Sequence, residues 1–188
     1  MTSRSLSDKD KPIGVIGAGN FGSVIANLLA RQRKVLLYAR NAEVVEHILS
    51  KKENRGYKMH ERITPTNNLS AIAEQCDIIF PIVPSAHFRS MMKELSSYLH
   101  PYHLLIHGTK GFDVMLPEGR TIDTETKLNR GMVKTMSEVI IEESVVARVG
   151  CLAGPNLARE LAEGHPAATV IASHFDEVIN VGDRKSVV

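Results

Sequence analysis

The sequence predicts an α/β fold, a doubly wound and mostly parallel sheet with helices on both faces. Short apolar runs of strand length recur along the chain, and between them apolar residues repeat at helical spacing. Parallel neighbours need a long crossover, which such helices supply. A glycine-rich turn stands where the first strand meets the first helix. At 188 residues the chain has the length of one domain, or of one domain and the start of another. Folding at that size buries roughly 70% of the unfolded chain's surface, so no disulfide or metal staple is required.

The elements follow in order. Residues 12–17 (PIGVIG) read as a buried strand ending in glycine. Over 20–31, Phe21, Val24, Ile25, Leu28 and Leu29 fall on one helical face. Residues 34–39 (KVLLYA) read as a second strand, and 42–52 as a helix with Val44, Val45, Ile48 and Leu49 on one side. The polar stretch 53–62 reads as a loop. A strand at 63–67 and a helix at 69–75 come next. Residues 77–83 (DIIFPIV) form a further buried strand, with Pro81 as an interruption. A helix at 86–99 leads to a strand at 103–107. Residues 112–130 hold Pro-Glu-Gly and many polar residues, and read as a long surface loop. Met132, Val133, Met136, Val139 and Ile140 mark a helix, followed by a strand at 145–152, a helix at 157–163 and a strand at 167–172. No internal repeat or low-complexity tract breaks the series.

Lys+Arg 23 against Asp+Glu 21 leaves a formal net charge of +2. That excludes a strongly basic nucleic-acid scaffold and an acidic disordered tail. No apolar run approaches the ~18 residues of a membrane span, so neither nucleic acid nor a membrane span is expected. The polar start MTSRSLSDKDKP is not expected to be a secretory signal. Cys76 and Cys151 form no metal or redox motif, and a reduced, cytoplasmic protein is expected.

Gly17-Ala18-Gly19-Asn20-Phe21-Gly22 matches G-x-G-x-x-G in the setting the pattern requires, after a strand and opening a helix. Gly17 permits the tight turn, Gly19 lets the backbone approach a pyrophosphate, and Gly22 lets helix pack on strand. The helix N-terminus adds N–H groups and partial positive charge. A Rossmann-type fold with a dinucleotide on this loop is therefore expected; the alternative is a plain strand-to-helix turn. Such folds often carry an acid at the end of the second strand to hold the ribose hydroxyls. Here that end reads Tyr38-Ala39-Arg40-Asn41. Arg40, 23 residues after Gly17, suits a 2′-phosphate or stacking on adenine. The expected cofactor is NADP or NAD, with NADP favoured; otherwise Arg40 is a solvated arginine at a strand end.

His100, His103 and His107 lie in or beside one strand without an acidic partner or ligand spacing. No metal is expected, and they read as exposed histidines at strand edges. Arg31, Arg33 and Lys34 fall at a helix end, where cations are favourable without any nucleic acid.

The ordered pieces GAGNFG, LYARN, IVPSAHFR, the HGTKGF block, MSEVI and AGPNLARELAEGHPAA make the chain resemble a known family. From about residue 13 to 173 it resembles the N-terminal domain of bacterial-type NAD(P)-dependent glycerol-3-phosphate dehydrogenase. The resemblance implies cofactor contacts at Gly17, Gly19, Asn20, Phe21, Gly22, Arg40, Lys110 and Ala158. It implies substrate contacts at Lys110, Gly154 and Asn156. Lys110, in Thr109-Lys110-Gly111, is the implied catalytic contact, an ammonium able to hold a phosphate or a polarised carbonyl oxygen. Asn156 stands where the family more often has Ser or Thr, and either contacts substrate or caps the helix that follows. The implied activity is hydride transfer between NAD(P)H and dihydroxyacetone phosphate or sn-glycerol 3-phosphate, a step toward glycerophospholipids, in a cytoplasmic homodimer.

The resemblance also implies a general-base lysine in a helical domain that follows the nucleotide domain. The expected organisation is a disordered extension at 1–11, a Rossmann-type domain at 12–181 and an aberrant tail at 182–188. The helical substrate domain is expected to be absent and the chain inactive alone. The tail does not resemble the family, and DRKSVV at 183–188 is what one frame of a common sequencing adapter encodes. Adapter read-through is its expected origin. Two other readings stay open: a non-catalytic dinucleotide-binding module, and a related NAD(P)-dependent reductase of another small acid or sugar phosphate.

Overall fold

The computed structural model describes residues 11–116, 126–155, 157–166 and 168–185, the last four in backbone alone. Expectations that fall on 1–10, on 117–125 of the expected surface loop, on Asn156, on Ala167 of the expected strand and on 186–188 lie outside the described residues. In chain order, β1 (Ile13–Ile16), α1 (Asn20–Ala30), β2 (Val35–Tyr38) and α2 (Ala42–Lys51) form the first crossovers. A hairpin of β3 (Glu53–Asn54) and β4 (Tyr57–Lys58) precedes β5 (Ile63–Thr66) and α3 (Leu69–Gln75). Next come β6 (Ile78–Pro81), α4 (Ser85–Ser96) and β7 (Leu104–His107). A second hairpin, β8 (Asp113–Val114) with β9 (Val133–Lys134), leads into α5 (Met136–Glu143) and β10 (Arg148–Ala153). The described chain closes with α6 (Ala158–Ala162), β11 (Val170–Ser173) and α7 (Asp176–Lys185).

The main sheet has seven strands in the order β11-β10-β7-β6-β1-β2-β5. Every neighbouring pair is parallel except β10 with β11. This is the expected doubly wound, Rossmann-type sheet, and its order reverses between β1 and β6. All of β1 is buried, as a central parallel strand covered on both faces must be. On one face α1, α2, α6 and α7 contribute Val24, Ile48, Leu161 and Val178 to the core. On the other, α3, α4 and α5 contribute Ile72, Phe88, Met92 and Val139.

The prolines sit where a missing donor costs little. Pro65 lies on the edge strand β5. Pro81 ends β6, beyond the pairs Ile78–Leu104 and Ile79–Leu105 that join β6 to β7. Its carbonyl still accepts from the Gly108 N–H at 3.1 Å.

Four features differ from the sequence reading. Part of 53–62 forms the β3–β4 hairpin around Arg55 and Gly56, both at positive φ (56° and 82°), which matches the twist of a tight two-residue turn. The hairpin is tied to α1: Asn27 donates to the Lys58 carbonyl and accepts from the His60 N–H, both at 2.9 Å. The helix expected from Met132 begins at Met136, because Thr135 and Glu138 form a capping box and the residues before it pair with β8. The antiparallel edge strand β11 is within the mostly parallel sheet expected. By contrast, α7 was not foreseen, and it runs across position 182. Lys11, at the end of the expected extension, is ordered, with its ammonium 2.8 Å from the Asp77 carboxylate.

Two substitutions separate core from cap. Leu105 is fully buried in the second cluster, so Leu105→Ala is expected to cost about 2–5 kcal/mol. Thr135→Ala removes only the cap and is expected to cost about 1 kcal/mol. Urea unfolding of the two variants checks the order.

Candidate functional site

The crevice lies beyond the C-terminal ends of β1 and β6, where the strand order reverses. Its floor is the glycine turn. Gly17 has φ +120°, and a Cβ there would lie 2.1 Å from the Ile82 carbonyl oxygen. A Cβ on Gly22 would lie 1.8 Å from the Gly17 carbonyl oxygen. Neither position has room for a side chain. Gly19 is different: a Cβ there would meet nothing within 4 Å. The space in front of it is open to a group that approaches from outside. Gly19 is also the N-cap of α1, with no side-chain cap and no acid in the first turn. The first-turn N–H groups therefore face the crevice with a partial positive charge and no built-in anion, which fits a diphosphate.

Two adjoining cavities flank this turn. The smaller, about 370 Å³, is lined by Gly19, Asn20, Phe21, Gly22, Lys110 and Ala158 among others. The larger, about 560 Å³, takes in Phe21, Lys110, Gly154, Ser137 and His107. Phe21 and Lys110 belong to both. Phe21 packs on Gly108, where a Cβ would come within 3.2 Å of the ring. The Thr109 hydroxyl donates to the Val83 carbonyl at 2.7 Å, which ties the loop after β7 to the loop after β6 and so fixes the base of Lys110. Arg40 lies on neither cavity. It is exposed beyond the end of β2, beside the α2 N-cap Asn41. β2 and β7 flank β1 and β6, so Arg40 and Lys110 stand at opposite ends of the crevice.

Of the residues chosen from sequence, the structure thus gathers Gly17, Gly19, Asn20, Phe21, Gly22, Lys110, Gly154 and Ala158, and sets Arg40 apart at the β2 end. Asn156 lies outside the described residues. A cavity of about 1030 Å³ elsewhere, between α1, the β3–β4 hairpin and α6, contains none of them.

The histidines require a correction. His103 and His107 are not exposed and not at an edge: β7 is an inner strand, and they are 0% and 4% exposed. His103 Nε2 donates to the Ala73 carbonyl at 2.8 Å, and its Nδ1 accepts from the His100 N–H at 2.8 Å. His107 Nε2 lies 3.0 Å from the Ser137 hydroxyl on the wall of the larger cavity. Among the described residues no group of three or more His, Cys, Asp or Glu could hold a metal. His107, Ser137, Thr135 and Cys151 are cavity residues that the sequence reading missed as such. The signal for His107 was its place at the end of Leu-Leu-Ile-His, a run as apolar as the strands read as buried. Burial also raises the Cys151 thiol pKa, so it is no ready nucleophile.

Comparison with known proteins bears on the site. The family model described as NAD-dependent glycerol-3-phosphate dehydrogenase N-terminus matches residues 12–179. Glycerol-3-phosphate dehydrogenase [NAD(P)+] of Ectopseudomonas mendocina is 36% identical over 173 residues, 89% of this chain and 46% of that protein. The enzyme of the same name from Pseudomonas paraeruginosa is 37% identical over 175 residues, again 46% of its length. The chain therefore spans about half the length of the curated relatives it matches. The crystal structure of glycerol-3-phosphate dehydrogenase from Coxiella burnetii superposes with a TM-score of 0.78 at 25% identity, covering 94% of this chain and 50% of that one. The Plasmodium falciparum glycerol-3-phosphate dehydrogenase structure, at 20% identity, shares the fold with a TM-score of 0.79, covering 96% of this chain and 50% of that one.

Burial of His103 and His107 makes the stability of the fold pH-dependent. The His107 imidazole is pushed down to about 4 by desolvation, and His103 is lowered by the same cause. In the unfolded chain both titrate near 6.5. Between those values the unfolded state binds more protons, so stability falls as pH falls through that window. For His107 this amounts to about 2 kcal/mol between pH 7 and pH 5. The carboxylates of Glu138, held low by the Thr135 backbone and Arg130, and of Glu142, held low by Lys134 and Arg89, titrate at lower pH. Unfolding free energies of wild type and His107→Gln at pH 5 and pH 7 test this. The variant is expected to lose about 2 kcal/mol of the pH 7 to pH 5 difference while His103 keeps its own share, and identical slopes would show that His107 carries none of it.

Proposed function

This chain belongs to the family of NAD-dependent glycerol-3-phosphate dehydrogenase N-terminal domains, and on that premise we propose that it is the dinucleotide-binding portion of an NAD(P)-dependent oxidoreductase. The whole protein would move a hydride between NAD(P)H and dihydroxyacetone phosphate or sn-glycerol 3-phosphate. The observation that carries the reading is the glycine turn: two positions closed to any Cβ by backbone, a third open to the crevice, and an uncapped helix N-terminus behind it.

The geometry supports a ligand with two ends. The diphosphate would rest on the N–H groups of Gly19 to Gly22. One nucleoside would reach toward Arg40 and the other toward Phe21, Lys110 and Ala158 in the smaller cavity. The ends of β2 and β7 are three strand spacings apart, about 14 Å. That reach suits two linked nucleotides better than one. Exposed Arg40, with no acid at the end of β2, supports a preference for NADP over NAD.

The larger cavity adjoins the smaller at Phe21 and Lys110, and supports a small phosphorylated substrate there. A bound nicotinamide supplies the hydride chemistry. The chain's own part is to orient and polarise. Phe21, held against Gly108, forms the wall between the two compartments, and the Lys110 ammonium would stabilise the substrate phosphate or the negative charge that develops on the C2 oxygen. Gly154 and Ser137 line the same space. Proton delivery to the alkoxide is assigned to a lysine of a following helical domain, in keeping with the family resemblance. A positioned acid–base group contributes about 10²–10⁴-fold. A cytoplasmic setting and pairing with a second copy of the chain belong to the same proposal, supported by free thiols at Cys76 and Cys151 and by exposed Ile141 and Val145 on and beside α5.

Two measurements test the reading. Titration of the chain with NADPH and NADH is expected to show tighter binding of NADPH, and Arg40→Ala is expected to weaken NADPH more than NADH; equal losses would show that Arg40 does not read the 2′-phosphate. With saturating dihydroxyacetone phosphate, NADPH absorbance is expected to stay flat for this chain and to fall once a family helical domain is joined to it. Equal rates with and without that domain would remove its lysine from the mechanism.

A further inference from the structure

We propose that Asn54, on the β3–β4 hairpin, is a positioning residue for the dinucleotide diphosphate. It acts through the backbone of the glycine turn and does not touch the ligand. The inference rests on reading the crevice as a dinucleotide site.

Asn54 is the buried exception in a short, otherwise exposed or half-buried hairpin, 5% exposed. Its Nδ2 group spends both hydrogens on the nucleotide-binding unit. One goes to the Ala18 carbonyl at 2.9 Å and the other to the Ser23 hydroxyl at 2.8 Å. Ser23 is fully buried on α1. One amide thus joins the turn before the helix to the helix itself.

The effect on the ligand follows from peptide geometry. The Ala18 carbonyl and the Gly19 N–H belong to one planar trans unit and point in opposite directions. Asn54 lines neither crevice cavity, so it holds the carbonyl from behind the turn. A carbonyl held there aims the Gly19 N–H the other way, into the open space in front of Gly19. Gly17 and Gly19 give the backbone of this turn added conformational freedom, and an external tether limits it. Preorganised donors bind an anion better than donors that must first be ordered.

A residue that merely held the hairpin down would behave like Asn27. Asn27 also joins α1 to the hairpin with two hydrogen bonds, but those go to Lys58 and His60 and not to the glycine turn. The pair therefore supplies its own control.

The experiment uses the whole chain and measures NADPH and NADH dissociation constants by calorimetry at a temperature where each variant is folded. Asn54→Ala is expected to weaken both dinucleotides by the same factor, about tenfold, because the diphosphate is common to both. Asn27→Ala is expected to lower the melting temperature while leaving both affinities within about twofold. The wild-type Gly19 amide proton resonance is expected to shift on NADPH addition. Asn54→Asp keeps the side-chain volume, removes the donors and is expected to act in the same direction, which covers the case that Asn54→Ala does not fold. Wild-type affinity in either Asn54 variant, a loss matched by Asn27→Ala, or a Gly19 amide that does not respond to NADPH overturns the positioning role. A wild-type chain that binds neither dinucleotide overturns the functional reading, and the positioning role with it.

Discussion

The backbone contact between Gly17 and Gly22 is the constraint on which the crevice depends. With the Gly17 carbonyl oxygen only 1.8 Å from where a Gly22 Cβ would stand, α1 starts almost on top of the end of β1. That closeness brings the first-turn N–H groups of α1 to the switch point of the sheet and not above it. It also seats Gly17 against Ile82, so the turn after β1 and the end of β6 share one wall. A methyl at Gly22 would push α1 off the end of β1, and one at Gly17 would push the turn off Ile82; either disperses the donors.

Around that contact the structure ties each loop to its neighbour with polar links that a sheet alone would not provide. Thr109 holds the loop after β7 to the loop after β6. Asn54 reaches the turn from the opposite side. Arg89 on α4 pairs with Asp113 of β8 and with Glu142 and Glu143 of α5. That cluster fastens the second hairpin, and with it the wall of the larger cavity, to the core. Loops at strand ends have little apolar area to bury, so hydrogen bonds and ion pairs must order them, whereas the sheet is held by its two hydrophobic layers.

The two cavities share Lys110 and differ in what surrounds it. The smaller sets it beside the glycine turn, Asn20, Thr109 and apolar side chains, and suits a ring beside a diphosphate. The larger adds hydroxyls and a buried neutral imidazole next to Lys110. A neutral His107 leaves Lys110 as the cation of that compartment, and keeps the donor or acceptor role of its Nε2 toward Ser137 independent of pH near neutrality.

By itself the sequence determined the strands of the main sheet, the helices α1 to α6 and the glycine turn, because apolar periodicity and glycine placement are local signals. The β1, α1, β2, α2 and β6 assignments and the glycine turn between β1 and α1 were legible there. Tertiary structure decided what depends on residues far apart in the chain. It folded 53–58 into a hairpin under the glycine turn, paired 113–114 with 133–134, and so moved the start of α5 to Met136. It buried His103 and His107 by giving β7 neighbours on both sides, where the histidines read as exposed at strand edges. It also brought Asn54 to Ala18 across 36 positions of sequence. A side chain's burial and hydrogen-bond partner are fixed by which elements meet in space, and no window of sequence around Asn54 or His107 contains that information.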